Sequence, residues 1–248
     1  MSDRAVSEVL SYTLVFSLIV VSVLIISVSG VGTLENTRDA EQMNNAERAF
    51  DVLGDNIADL YERDAPSRAT EISLGDAQLY TGDPTTINVT WKATATGNVS
   101  FTEIGLVPLV YEGNDEKKIV YEAGAVFRTT RDGGVRLRNP PMVFSGSTVL
   151  LSVIDTQSRG VQSISGSTVG VRIINRRTIV PVSSIAVERF NITVNSTSQR
   201  TELWAKYFEE NGFTCDSPGS EVTCEYTDVS SVDRFYIVNH DMLMKLSP

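Results

Sequence analysis

The sequence predicts an α+β protein: a long N-terminal helix followed by an antiparallel β-sandwich-like head, with one short helix near the C-terminal end. Three observations predict it. Residues Val9 to Leu34 make a run of 26 without a charge. Apolar positions then recur at Met43, Ala46, Phe50, Leu53, Ile57 and Leu60, spaced by threes and fours. After Pro66 the period of the apolar residues changes to two, as in Thr86-Ile87-Asn88-Val89-Thr90-Trp91.

The uncharged run is apolar all round, so a helix made of it has to be buried in lipid or in an assembly. At ~1.5 Å per residue it spans ~39 Å, more than the ~30 Å hydrocarbon core of a bilayer. The stripe from Met43 to Leu60 is amphipathic and needs a packing partner. Gly54 lies off the stripe and weakens the helix only modestly. No proline interrupts the chain before Pro66, and the residue preceding a proline is pushed out of the α region. One helix is therefore expected from about Val6 to Arg63, with segments 6–34 and 35–65 differing only in what they pack against.

The β-rich remainder, residues 66–248, follows from its punctuation. Strand-like runs are expected at Thr70–Leu74, Thr86–Trp91, Phe101–Tyr111, Lys118–Arg128, Gly134–Arg138, Thr148–Ile154, Thr168–Ile174 and Ser184–Val194. Turn residues separate them, as in Gly82-Asp83-Pro84, Asp132-Gly133-Gly134 and Asn139-Pro140-Pro141. Leu203, Trp204, Tyr207 and Phe208 share one face of a helix from about Gln199 to Glu210, which Asn211-Gly212 stops. That face suits packing on a sheet or, exposed, a sugar-stacking platform. Cys215 and Cys224 flank a Pro-Gly turn, a spacing open both to a stapled hairpin and to two free buried thiols.

Composition narrows the function. The 248 residues include 31 acidic and 21 basic ones, a net charge of −10 that repels phosphate backbones, so no nucleic-acid partner is expected. Lysine accounts for only five of the basic residues (Lys92, Lys117, Lys118, Lys206 and Lys245), a balance suited to concentrated salt. One histidine, His240, cannot build a multi-histidine metal site, and two cysteines supply too few ligands for structural zinc. The chain contains no G-x-x-x-x-G-K-S/T, G-x-G-x-x-G, G-x-S-x-G or H-E-x-x-H. The acidic pairs Asp115/Glu116 and Glu209/Glu210 suit a solvated turn and a helix end. No enzyme activity, metal or cofactor is expected.

The N-terminal apolar run admits three fates. It is an ordinary membrane anchor, a signal peptide removed after Ser29 or Gly30, or a helix retained after a short leader is cut. The start of the chain bears on this choice. Met1-Ser2-Asp3-Arg4-Ala5 followed by Val6-Ser7-Glu8-Val9 resembles the N-terminus of archaeal type IV pilin-like proteins and archaellins. In these, a short leader ending in a basic residue and a small one is cut directly before the apolar helix.

The resemblance implies a leader of residues 1–5, cleaved between Ala5 and Val6 behind Arg4 by a prepilin peptidase. It also implies a transmembrane or filament-core helix over 6–34, other pilin-like subunits and the lipid bilayer as partners, and an extracellular head over 66–248. Glu8 stands where relatives from salt-loving archaea often carry proline. It is a candidate for helix assembly, offsetting the Val6 ammonium of its own or a neighbouring chain. Four N-x-S/T sequons, at Asn88, Asn98, Asn191 and Asn195, are glycosylation candidates on an exported head, the last two at what reads as a solvent-facing strand edge. The expected role is a structural subunit of a surface filament or adhesion. A single-pass anchored β-domain that binds a surface partner or glycan without polymerising is the alternative.

Overall fold

The protein is described by a computed structural model covering the backbone of residues 3–228 and 231–248, with side chains outside residues 1–9, 28–36 and Asp115. It has the predicted α+β class. Helix α1 runs Asp3–Glu62, and the chain divides into two compact units, residues 1–43 and 44–248. In the first unit, every described side chain from Leu10 to Ser27 is exposed to solvent, and the mean hydropathy of this stretch is 2.4. The hydroxyl of Ser22 donates back to the Leu18 carbonyl at 2.8 Å, so the helix satisfies this polar group itself.

The second unit begins with the striped part of α1. Ala46, Phe50, Leu53, Ile57 and Leu60 are each at most 1% exposed. Arg138 lies across Gly54, where a Cβ would sit 2.9 Å from the arginine Cδ and Nε, and its Nη1 reaches Asp55 at 2.8 Å and Asp51 at 3.2 Å. Gly54 is thus a crossing point rather than a weak spot. Beyond Glu62, Asp64 takes a positive φ of 52° and Pro66 prevents the helix from resuming.

The strands are β1 (Ser67–Ser73), β2 (Gln78–Thr81), β3 (Thr85–Ala93), β4 (Val99–Leu106), β5 (Leu109–Glu112), β6 (Lys118–Glu122), β7 (Ala125–Thr130), β8 (Gly133–Arg138), β9 (Met142–Ser145), β10 (Thr148–Ser158), β11 (Ser163–Ser165) and β12 (Thr168–Asn195). Helix α2 (Ser198–Glu209) and strands β13 (Phe213–Asp216), β14 (Glu221–Tyr226) and β15 (Val232–Ser247) complete the chain. One sheet runs β13-β14-β12-β15-β10-β9, with β1 and β3 also on β12 and β4 beyond β3; the other runs β11-β2-β5-β6-β7-β8. Ile87, Val89, Val120, Phe127, Val149, Phe190 and Ile237, drawn from both sheets, share one core with the Leu203, Trp204, Tyr207 and Phe208 face of α2.

Several elements differ from the periodicity-based expectation. Phe101–Tyr111 is two strands, because Val107-Pro108 breaks the ladder. Lys118–Arg128 is a hairpin whose two-residue turn, Ala123 (φ 51°) and Gly124 (φ 90°), has the left-handed backbone that matches strand twist. A Cβ on Gly124 would lie 2.4 Å from Cδ of Pro141, so only glycine fits there. Thr168–Ile174 and Ser184–Val194 are the two ends of one 28-residue strand, bent by register shifts between Asn175 and Val187 and passing through Pro181. β15 has no counterpart among the expected strands. It pairs parallel to β10, so the head is not wholly antiparallel.

Candidate functional site

The inner face of the smaller sheet is laid out by its registers. Tyr80, Val110, Val120 and Phe127 sit side by side across β2, β5, β6 and β7. In the next row, Glu112 faces Lys118 and Lys118 faces Thr129. α2 covers the Phe127 end, where the Trp204 ring meets Phe127 edge-on with centroids 5.5 Å apart. Toward its first turn α2 leaves the sheet uncovered, and a cavity of about 400 Å³ opens between Val110 and Val120 on the sheet and Thr197, Gln199 and Arg200 on the helix.

Behind this cavity lies a buried polar knot. Glu122 is fully buried, and Trp204 Nε1 donates to its Oε1 at 2.7 Å while Thr85 Oγ1 donates to its Oε2 at 2.9 Å. Arg200, 5% exposed, donates from Nε to Ser196 Oγ at 2.7 Å and stands 2.9 Å from Glu122 Oε2. Every lone pair of a buried carboxylate has to be served, and Thr85 of β3 converges to do so with Ser196, Arg200 and Trp204 on and just before α2. One atom is left over: Nη2 of Arg200 is shut off from solvent and has no hydrogen-bond partner.

The cavity walls are polar and already paired. Tyr80 Oη donates to Glu112 at 2.7 Å and Lys118 Nζ meets the same carboxylate at 3.1 Å. Burial, and then this bond, raise the Tyr80 phenol above its ordinary pKa. At the mouth, Arg131 grips Glu116 through two bonds of 2.8 and 3.0 Å and holds its carboxyl below the usual range. Thr197 precedes α2 without capping it through its side chain, so the first amides of the helix lack the usual hydroxyl, and Thr197, Gln199 and Arg200 line this end of the cavity.

The residues singled out in the sequence are dispersed. Arg4, Ala5, Val6 and Glu8 lie on the α1 backbone, and their side chains fall outside the described residues. Trp204 and Tyr207, 0% and 3% exposed, are core residues and do not form the stacking platform considered for them. Burial raises the Tyr207 phenol to about 12. Cys215 and Cys224 are joined by a disulfide across the β13–β14 pair.

Asn98 and Asn195 are exposed, whereas Asn88 and Asn191 are half-buried in strand interiors. The expected edge at Asn191 is not an edge, because β12 carries β14 on one side and β3 on the other there. Glu116 and Glu210 pair with Arg131 and Arg136, and the Asp115 side chain lies outside the described residues. Among the described residues, no three His, Cys, Asp or Glu side chains gather as a metal site. Glu122 and Arg200 carried no short-range signal; the available hint was Arg200 three, four and seven residues before Leu203, Trp204 and Tyr207, a cation on an apolar face.

No curated protein and no solved structure matches the chain. Residues 4–245 match the Family of unknown function (DUF7289), and the chain belongs to that family.

Proposed function

We propose that the chain is a type IV pilin-like structural subunit that enters a membrane, and from there a surface filament or adhesion, through the apolar segment of α1. The observation that carries this reading is the stretch Leu10–Ser27: it is helical, uncharged and apolar on every side, a surface that calls for lipid or an assembly around it. Exposing it to water would be prohibitively unfavourable, whereas lipid or the equivalent helices of other subunits cover it. Ser11, Ser17, Ser22 and Ser27 are small enough for close helix approach. The Cys215–Cys224 disulfide supports an oxidising, extracytoplasmic compartment for the head, and there Asn98 and Asn195 are the sequons exposed enough to take a glycan. The second reading, an anchored domain that binds a surface ligand, is favoured by the polar cavity at the start of α2.

Intact mass or N-terminal sequencing of protein from its native membrane tests the first reading. A chain starting at Val6, with Arg4→Gln accumulating as uncut precursor, is the expected result. A start at Met1 or Ser2 leaves a plain anchor, and a start beyond Ser29 removes the helix altogether; either sinks the pilin-like reading.

A further inference from the structure

We propose that the cavity at the start of α2 binds a hydroxylated oxyanion, a sugar carrying a carboxylate or a phosphate, with Arg200 and the first amides of α2 receiving the charged group. Two independent features point to the charge. The N-terminal amides of a helix lack intrahelical partners and sit at the positive end of its dipole, and Thr197 does not cap them with its side chain. Beside them, Arg200 is nineteen-twentieths buried and lines the cavity, while its bonds to Glu122 and Ser196 are made from Nε. A guanidinium whose Nη1 side is turned to a cavity suits a carboxylate or phosphate.

Glu122 is a positioning residue here. With Trp204 and Thr85 on its other lone pairs, it holds the Nε side of the guanidinium inward. The Nη1 side then lies 3.9 Å from where a Cβ on Gly82 would be, at the cavity wall. The remaining lining accounts for the hydroxylated part of the ligand. Thr81, Thr129, Thr130 and Gln199 offer hydroxyl and amide groups over a floor of Val110 and Val120, a mixture that suits a sugar ring better than a bare ion. The acidic lining does not oppose the charge at the inner end, because Glu112 is engaged by Lys118 and Tyr80, Glu116 by Arg131, and Asp83 is exposed. The cavity depends on no feature of the N-terminal helix, so the site stands whether or not the chain polymerises.

Titrating the full chain in detergent with glucuronate, glucose 6-phosphate and glucose, followed by calorimetry, tests the site. Saturable binding of one or both acids, with glucose weaker by roughly tenfold or more, is expected, and the acid that binds identifies the oxyanion. Arg200→Gln also breaks the buried pair with Glu122, so it does not separate binding from folding. Gln199→Glu therefore serves as the second variant: it places a carboxylate at the cavity while an acid in a first helical turn favours the helix. It should keep the melting temperature and weaken the acid by roughly tenfold. Failure of both acids to bind, equal binding of glucose, or undiminished binding by a folded Gln199→Glu chain overturns the proposal.

Discussion

Leu10–Ser27 and Ala46–Leu60 belong to the same helix, yet their side chains meet opposite surroundings. In the first stretch all described positions are exposed, and Leu14, Phe16, Leu18 and Ile25 are each more than half so. In the second, the apolar residues follow a three-four spacing and are essentially all covered, while Asp51 and Asp55 on another side hold Arg138. The difference lies in pattern rather than in apolar content. A stripe specifies a partner on one side, and here that partner is the rest of the same unit. A surface that is apolar all round specifies a surrounding phase.

Substituting matched residues in the two stretches should separate them most sharply. Phe50→Ala removes a fully buried ring and should destabilise the head by about 3–5 kcal/mol, read as a lowered denaturation midpoint. Phe16→Ala, 56% exposed in the wild type, should leave that midpoint where it was and alter only how the chain partitions into vesicles. Equal losses would mean that the apolar stretch is packed within the chain after all.

A smaller effect sharpens the far end of the buried half. Tyr61, in the last turn of the helix, has its ring 5.0 Å from that of His240, which is 7% exposed and has Thr178 Oγ1 3.1 Å from its Nδ1. Burial lowers the histidine's pKa, so the folded state keeps it neutral while the unfolded chain takes up a proton below about pH 6.5. The stability this contributes is complete above that pH and is lost as pH falls toward the folded value, by at most about 1.4 kcal/mol per pH unit. His240→Asn should flatten the slope of stability between pH 7 and 5; an unchanged slope would remove His240 from the account.

Smaller effects still concern Gly54 and Ser22. Gly54→Ala gains helix propensity but puts a Cβ against Arg138, and we expect a net loss of about 1 kcal/mol with weakened coupling to Asp51 and Asp55. Ser22→Ala gives up only a bond to its own helix and should change head stability by less than about 0.5 kcal/mol. A stabilising Gly54→Ala would show that Arg138 yields freely.

These contrasts also mark what was legible beforehand. The two halves of α1 were plain because charge and spacing are local properties of consecutive residues. β12 was legible at its ends and not in its middle. Arg176 to Ser183 is largely exposed, contains Pro181 and is bulged, which is the local signature of a connector. β15 escaped because His240 and Asp241 are consecutive and both buried, breaking the two-residue alternation; Asp241 is held by Arg176 at 3.2 Å and Arg177 at 3.1 Å from the bulged part of β12. The cavity was the least legible feature. Glu122 and Arg200 owe their meeting to a hairpin turn and a helix start far apart in sequence, and no short window holds both.

The place of β15 has a consequence for how the head acquires its structure. This strand, the last one described in sequence, lies between β12 and β10, with Thr148 opposite Arg234 and Gly170 opposite Ser247. The larger sheet therefore cannot grow by adding each hairpin to the one before it. Its centre stays vacant until a strand some 80 residues downstream of β10 arrives, and closing loops of that size before any reward slows the search. While it waits, the apolar flanks of β10 and β12 are open to the wrong neighbour. A head of this topology is best handled as a finished chain rather than folded residue by residue as it emerges.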